Sequence, residues 1–338
     1  MEALKASKYW STEVEPEAVI PGIPTFNPDT VGERPLTKED LLERMSVRDL
    51  MEALGKRLHE VVVLRATDSV ETALKVLAHH NILSAPVWSE DPKGYTQVDI
   101  LDIASSVFLL HGDKYETIVS GFFHRPILEV CNLSQRDPMK VVTLDSKLGE
   151  LLSAFSTFLH RVIVVDDSQP ELHKILAIIS QRDVVRFMTE HSAAFAPYTS
   201  VQAKDLMQSQ PYLVSSEEPT IVVLNKCLKH KYSGAAVIEP ATGKLVSNIS
   251  ISDLRNISPA TFHTLWLPVP QFLESAHIKR ATNVIALEST SMEAILQKMV
   301  VEKVHRVWVV NEVNHPIGVI STTDVLRFML ISVSVISD

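Results

Sequence analysis

Glycine is scarce, at 10 of 338 residues, and nowhere forms the Gly-rich loop that cradles phosphates at a helix N-terminus. Cysteine is scarcer: Cys131 and Cys227 are alone and show no paired spacing. That argues against a disulfide framework or a zinc site and fits a reducing compartment. Positive charge is in the minority, 32 Lys and Arg against 41 Asp and Glu, for a net charge of −9. Neither a nucleic-acid coat nor a broad membrane-binding surface fits that balance, so an anion site must be a local basic pocket. The most apolar stretch, residues 325–336, is short of the roughly 20 residues a bilayer span needs and contains Arg327. The N-terminus has no apolar signal core. No local Ser/His/Asp or Cys/His motif is present, and the adjacent His79 and His80 point to different helix faces. The expectation is a non-catalytic chain of the cytoplasm or nucleus, with no nucleic acid, membrane or metal among its ligands.

What is present is repetition. Residues 1–36 hold five prolines and little periodicity, and read as an arm. A helix is predicted after Pro35, with Thr37 as its cap. It leads into Asp49-Leu50-Met51, a turn that recurs as Asp205-Leu206-Met207. Between and after these, one order of elements, β-α-β-β-α, occurs four times. The middle strands are read at 85–88, 162–165, 235–238 and 307–310. Their helices carry apolar residues at three- and four-residue spacing, as in Ala73, Leu74 and Leu77. A single unit of about 55–60 residues buries little surface alone. Pairs pressed sheet to sheet would make two modules, 44–192 and 198–336. The divisions are an arm at 1–43, repeats at 44–127, 128–192, 200–262 and 270–336, and a linker at 193–199.

Two patterns carry chemistry. The last strand of every unit ends in an aspartate with a polar residue three positions earlier: Asp99 with Asp102, Ser180 with Asp183, Ser250 with Asp253, Ser321 with Asp324. This spacing is first of all a helix N-terminal signature. The alternative is a set of acceptor-only carboxylates suited to the hydroxyls of a ribose. The second pattern is His160-Arg161 and His305-Arg306, placed where the first helix hands over to the middle strand. Arginine's rigid fork matches phosphate oxygens. Units one and three carry Leu83-Ser84 and Tyr232-Ser233 there.

The four units resemble tandem CBS (cystathionine beta-synthase type) repeats paired into two Bateman modules. The set over about 45–335 is similar to the gamma regulatory subunit of AMP-activated and Snf1-type protein kinases. The resemblance rests on the two His-Arg pairs, Ala85-Pro86-Val87-Trp88 and the Asp motifs. It implies an α+β disc of four CBS repeats that binds AMP, ADP or ATP near its centre. Ribose would meet Asp102, Asp183, Asp253 or Asp324. Phosphates would meet His160, Arg161, Arg182, His305 and Arg306. Ser180, Ser233, Ser250, Ser321 and Thr323 would be polar neighbours.

The implied partners are a kinase catalytic subunit and a beta-type scaffold. The alternative is a free-standing four-repeat protein that regulates a phosphatase or a metabolic enzyme. Animal gamma subunits have an arginine at the position of Asp183 and leave that site empty, so the site is expected to be usable here. Leu83 replaces an arginine, and Glu218 is expected to oppose phosphate at the unit-four pocket.

Overall fold

The computed structural model describes residues 38–56, 61–111, 121–135, 138–157, 159–168, 174–195, 201–255, 257–258, 260–276 and 284–334. Residues 1–37 of the expected arm, the capping Thr37 among them, lie outside these, whereas 38–43 belong to the first helix. Helices α1 (Lys38–Arg44) and α2 (Val47–Ala53) come first. Unit one is β1 (Leu64–Arg65), α3 (Val70–His79), β2 (Ser84–Glu90), β3 (Lys93–Asp99) and α4 (Ile100–His111). Unit two is β4 (Val141–Thr143), α5 (Leu148–Ser156), β5 (Arg161–Val165), β6 (Ile175–Ser180) and α6 (Gln181–Glu190). Next come α7 (Ala203–Leu206) and β7 (Gln208–Ser209). Unit three is β8 (Leu213–Ser215), α8 (Thr220–Lys229), β9 (Gly234–Ile238) and β10 (Leu245–Ser250), followed by α9 (Val269–Ser275). Unit four is β11 (Ile285–Ala286), α10 (Met292–Val301), β12 (Arg306–Val310), β13 (Pro316–Ser321) and α11 (Thr322–Ser334).

In each unit the middle strand pairs parallel with the first and antiparallel with the last. The helix between the first two strands is the crossover that parallel neighbours require. The same local chemistry closes three of these helices. Asn81, Lys231 and Lys303 take left-handed φ values of 53°, 59° and 56° just past the helix end. In each, the next amide bonds back five residues: Ile82 to Leu77, Tyr232 to Cys227 and Val304 to Met299. The chain is thereby aimed into the middle strand.

Unit three departs from the expected pattern. Where a second long helix was expected from Ser252, a 3₁₀ turn covers Ile251–Leu254, and a further 3₁₀ turn at Phe262–Trp266 takes over the packing. Its register also shifts the reading of the His-Arg position by one residue. The amides of Ile100, Gln181, Ile251 and Thr322 bond to the carbonyls of Leu83, His160, Ser233 and His305. The counterpart of His-Arg in unit three is therefore Ser233-Gly234, not Tyr232-Ser233.

The two large cores do not follow the order of the chain. One joins units two and four through α5, α6, α10 and α11, with Phe155, Phe187, Met299 and Met329 buried. The other joins units one and three, with Leu74, Ile103, Leu224 and Phe272. The sheet contact expected to supply the main core is, between units three and four, a small cluster of Ala236, Leu245, Trp308 and Val310. In these two cores the helices present mainly Leu, Met and Phe, whereas the strands contribute mainly small or β-branched residues.

The segment between units one and two is part of a core. Phe122, Ile127 and Val130 are buried with units one and three. Phe195, expected in the linker, is buried against Phe187 at a ring distance of 6.3 Å. Among the described residues, no helix is long and apolar enough to cross a membrane, and no cluster of His, Cys, Asp and Glu could hold a metal ion.

Candidate functional site

The four Asp motifs act as helix caps in every unit. The backbone amides of Asp99, Ser180, Ser250 and Ser321 donate to Asp102, Asp183, Asp253 and Asp324 at 2.8, 2.8, 2.7 and 2.8 Å. Ser46 with Asp49 and Gln202 with Asp205 make the same box before α2 and α7. Capping alone therefore explains the spacing, and the surroundings of each carboxylate decide whether it has a further role.

Those surroundings differ. Asp102 is 3% exposed, and its oxygens accept the amides of Asn132 at 3.2 Å and Ser134 at 2.8 Å. Burial holds its carboxyl above the usual range despite these bonds. It braces the chain at Asn132 and Ser134 and lies off the wall of the cavity described next. Asp183 forms an ion pair with Lys56 at 2.8 Å. Burial pushes its pKa up, but Lys56 and Ser180 outweigh that and hold it low. Asp253 also lies off the cavity wall. Asp324 lies on it. Its Oδ2 accepts from the amide of Ser321 and from Ser321 Oγ at 2.6 Å, and its Oδ1 accepts from Gln208 Nε2 at 2.8 Å.

That cavity has a volume of about 450 Å³ and opens where all four units meet. It falls within the range of small-molecule sites, roughly 300–1,000 Å³. Its wall brings together His160, Arg161, Ser180, Ser233, Ser250, His305, Arg306, Ser321, Thr323 and Asp324. Arg182 lies off the wall, but its charge is felt at His305.

The basic end is built from strand starts. Arg161, first in β5, reaches Ser84 of unit one at 2.8 Å and Asp99 at 3.5 Å. Arg306, first in β12, reaches Ser233 of unit three at 2.7 Å. Gly234 makes that reach possible, since a Cβ there would collide with the Arg306 guanidinium. Burial, then Arg306, His160, Arg161 and Arg182, push the His305 pKa down to about 3. His305 is thus neutral at pH 7, and its buried Nδ1 has no hydrogen-bond partner. Such crowding of cations in an acidic chain suits a bound anion.

Thr323 has a different duty. Its hydroxyl accepts from buried Gln181 Nε2 at 2.8 Å, while Thr322 Oγ1 donates to Gln181 Oε1 at 2.7 Å. The pair ties α6 to α11. Glu218 lies off the wall, bound by Lys226 and the amide of Ser215, so its charge is answered locally.

Sequence reasoning missed Gly234, Gln208, Lys56 and Arg255. Arg255 is partly buried beside Arg161 and Arg182, and burial followed by their charge lowers its pKa. The signal for Gly234 was available, since it is one of few glycines and opens a strand. The other three act across units, and no local spacing marks them. An aromatic group also lines the cavity: Tyr212 and Tyr232 stack at 4.8 Å, with His230 5.5 Å from Tyr212.

The family model of the CBS domain matches residues 203–259 and 278–331, which cover most of units three and four. The second half of the chain therefore carries a CBS-domain pair, and units one and two repeat its topology. Protein MJ1225 of Methanocaldococcus jannaschii, proposed as an archaeal homolog of g-AMPK, superposes with a TM-score of 0.62 at 18% identity, over 80% of this chain and 96% of that one. An uncharacterized conserved protein of Pyrococcus horikoshii gives a TM-score of 0.50 at 17% identity, over 84% and 100% of the two chains.

In sequence, the chain is similar to Protein SDS23 of Kluyveromyces lactis, 23% identical over 316 residues, covering 80% of this chain and 60% of that protein. It is 24% identical to Protein SDS23 of Candida glabrata over 213 residues, covering 56% of this chain and 38% of that protein. Protein SDS24 of Saccharomyces cerevisiae is 24% identical over 285 residues, covering 75% and 53%. The chain thus spans between 38% and 60% of these relatives' lengths.

Proposed function

We propose that this chain is a regulatory subunit that binds an adenine nucleotide, AMP, ADP or ATP, in the central cavity and passes its occupancy to a protein partner. The observation that carries the reading is one space of about 450 Å³ whose wall brings His160, Arg161, His305 and Arg306 together with Ser321 and Asp324. A phosphate needs the first and a ribose the second, and the aromatic group at Tyr212 and Tyr232 offers a surface for a base. Regulation then follows if the nucleotide favours one of two conformations by differential affinity.

The partner class we infer is a Snf1 or AMP-activated type kinase catalytic chain with its beta-type scaffold, in the cytoplasm or nucleus. The fold shared with the archaeal g-AMPK homolog supports this. Affinity capture of the tagged full chain from cells tests it. Recovery of a kinase and a scaffold supports the reading. Recovery of a phosphatase or metabolic enzyme instead moves the chain to a different target.

Calorimetry with AMP, ADP and ATP tests the site. Asp324→Ala and Arg306→Ala should each weaken binding about ten- to a hundredfold, from about 1.4–2.8 kcal/mol of lost charged hydrogen bonding. Unchanged affinity in both variants sinks the site, and no heat from any nucleotide sinks the reading.

A further inference from the structure

The two halves of the chain each place a side chain on one repeat-equivalent carboxylate. Just past α2, which holds Asp49-Leu50-Met51, Gly55 takes a φ of 61°. The amide of Lys56 then bonds back to Met51 at 2.7 Å, and Arg186 holds the carbonyl of Leu54 at 3.0 Å. This closure delivers the Lys56 ammonium to Asp183 Oδ2 at 2.8 Å. After the Asp205-Leu206-Met207 turn the chain instead forms β7, which pairs with β13. That strand delivers the Gln208 amide to Asp324 Oδ1 at 2.8 Å. The carboxylates are equivalent and their covers are not, being a cation in one half and a neutral amide in the other.

Counting acceptor positions shows what the amide does. A carboxylate offers about four lone-pair positions. On Asp324, Ser321 takes two through its amide and hydroxyl, and Gln208 takes a third. One position is left. A vicinal diol seated with both hydroxyls on this carboxylate needs two.

We infer that Gln208 is a specificity-determining residue: it covers Asp324 and must be displaced by the vicinal diol of a ribonucleotide, while Lys56 keeps the equivalent Asp183 from serving as a second such acceptor. This rests on the nucleotide reading above. A neutral amide can be exchanged for a hydroxyl at little cost. An ammonium cannot, because an uncharged diol does not replace the ion pair. The Gln208 side chain is exposed and its strand pairs through backbone, so substitutions there leave β7 in place.

The test is calorimetry on the full chain with AMP and with 2′-deoxy-AMP, which keeps one hydroxyl and so fits the remaining position. Gln208→Ala should tighten AMP about three- to tenfold and leave 2′-deoxy-AMP unchanged. Gln208→Lys, which gives Asp324 the cover that Asp183 has, should weaken AMP at least about tenfold. Structural damage would not produce a gain confined to the diol-bearing ligand. If wild type binds AMP and Gln208→Ala changes neither ligand, or both equally, the role of Gln208 is overturned and the site stands. If wild type binds no nucleotide, both fall.

Discussion

Arg306 crosses from unit four to donate to Ser233 of unit three at 2.7 Å, lying against a residue that has no side chain, Gly234. Arg161 makes the matching crossing from unit two to Ser84 at 2.8 Å. The two bonds tie unit one to two and unit three to four, and both arginines line the same cavity. They are near-copies, since Ser84 is the register counterpart of Gly234 and not of Ser233.

Gly234→Ala should therefore act on the arginine. The added methyl meets the Arg306 guanidinium and the carbonyl of Ile249. Backbone and a half-buried, hydrogen-bonded guanidinium give way poorly, so we expect about 1–3 kcal/mol of lost stability. AMP affinity should fall with it. Thermal unfolding and calorimetry on one preparation check both, and Ser84→Ala should show no comparable steric loss.

Gln181 is 1% exposed and bonds to Phe155 O, Thr322 and Thr323. Gln181→Ala strands those groups and should cost about 2–5 kcal/mol in urea unfolding. Adding Thr323→Val to it should cost less than the sum of the two changes, because they share one bond. Additive losses would deny the clasp.

His305 should make the chain acid-sensitive. Its pKa stands near 6.5 in the unfolded chain and is pushed down to about 3 in the folded one. Below about pH 6.5 the unfolded chain takes up a proton that the folded chain refuses until about 3. Stability from this group is thus complete above 6.5 and falls as the pH drops toward 3. His305→Gln should flatten this limb in urea midpoints measured from pH 7 to 4. A variant that loses stability in parallel with wild type would refute it.

Asp102→Ala and Asp324→Ala should separate a brace from a ligand group. The first leaves the amides of Asn132 and Ser134 without their acceptor and should lower stability by about 1–3 kcal/mol, with AMP affinity nearly unchanged. The second should weaken AMP about ten- to a hundredfold, with a stability loss of about 0.5–2 kcal/mol from the cap it also removes. Equal effects on both measurements would remove the distinction drawn between them.

The repeat, its element order and the caps were legible because each is local: a Ser and an Asp three apart make the same bonds wherever they fall. Which aspartate reaches the cavity was not legible. That depends on Ser134, Lys56 and Gln208, which lie 32, 127 and 116 residues from the carboxylates they bond. The register of unit three was obscured because Gly234 has no side chain to mark the arginine position. The cores were misjudged because the periodicity of a strand tells which face is apolar and not which partner covers it.

The interleaved cores bear on how the chain is made. Helices α5 and α6 find their packing partners on α10 and α11, at the other end of the sequence. The first half therefore leaves the ribosome with its apolar helix faces uncovered until the last repeat emerges. Contacts of such long separation form late and slowly, and exposed faces invite capture or aggregation in the interval. Synthesis of a truncated first half should for this reason yield material that chaperones hold, although every repeat in it is complete.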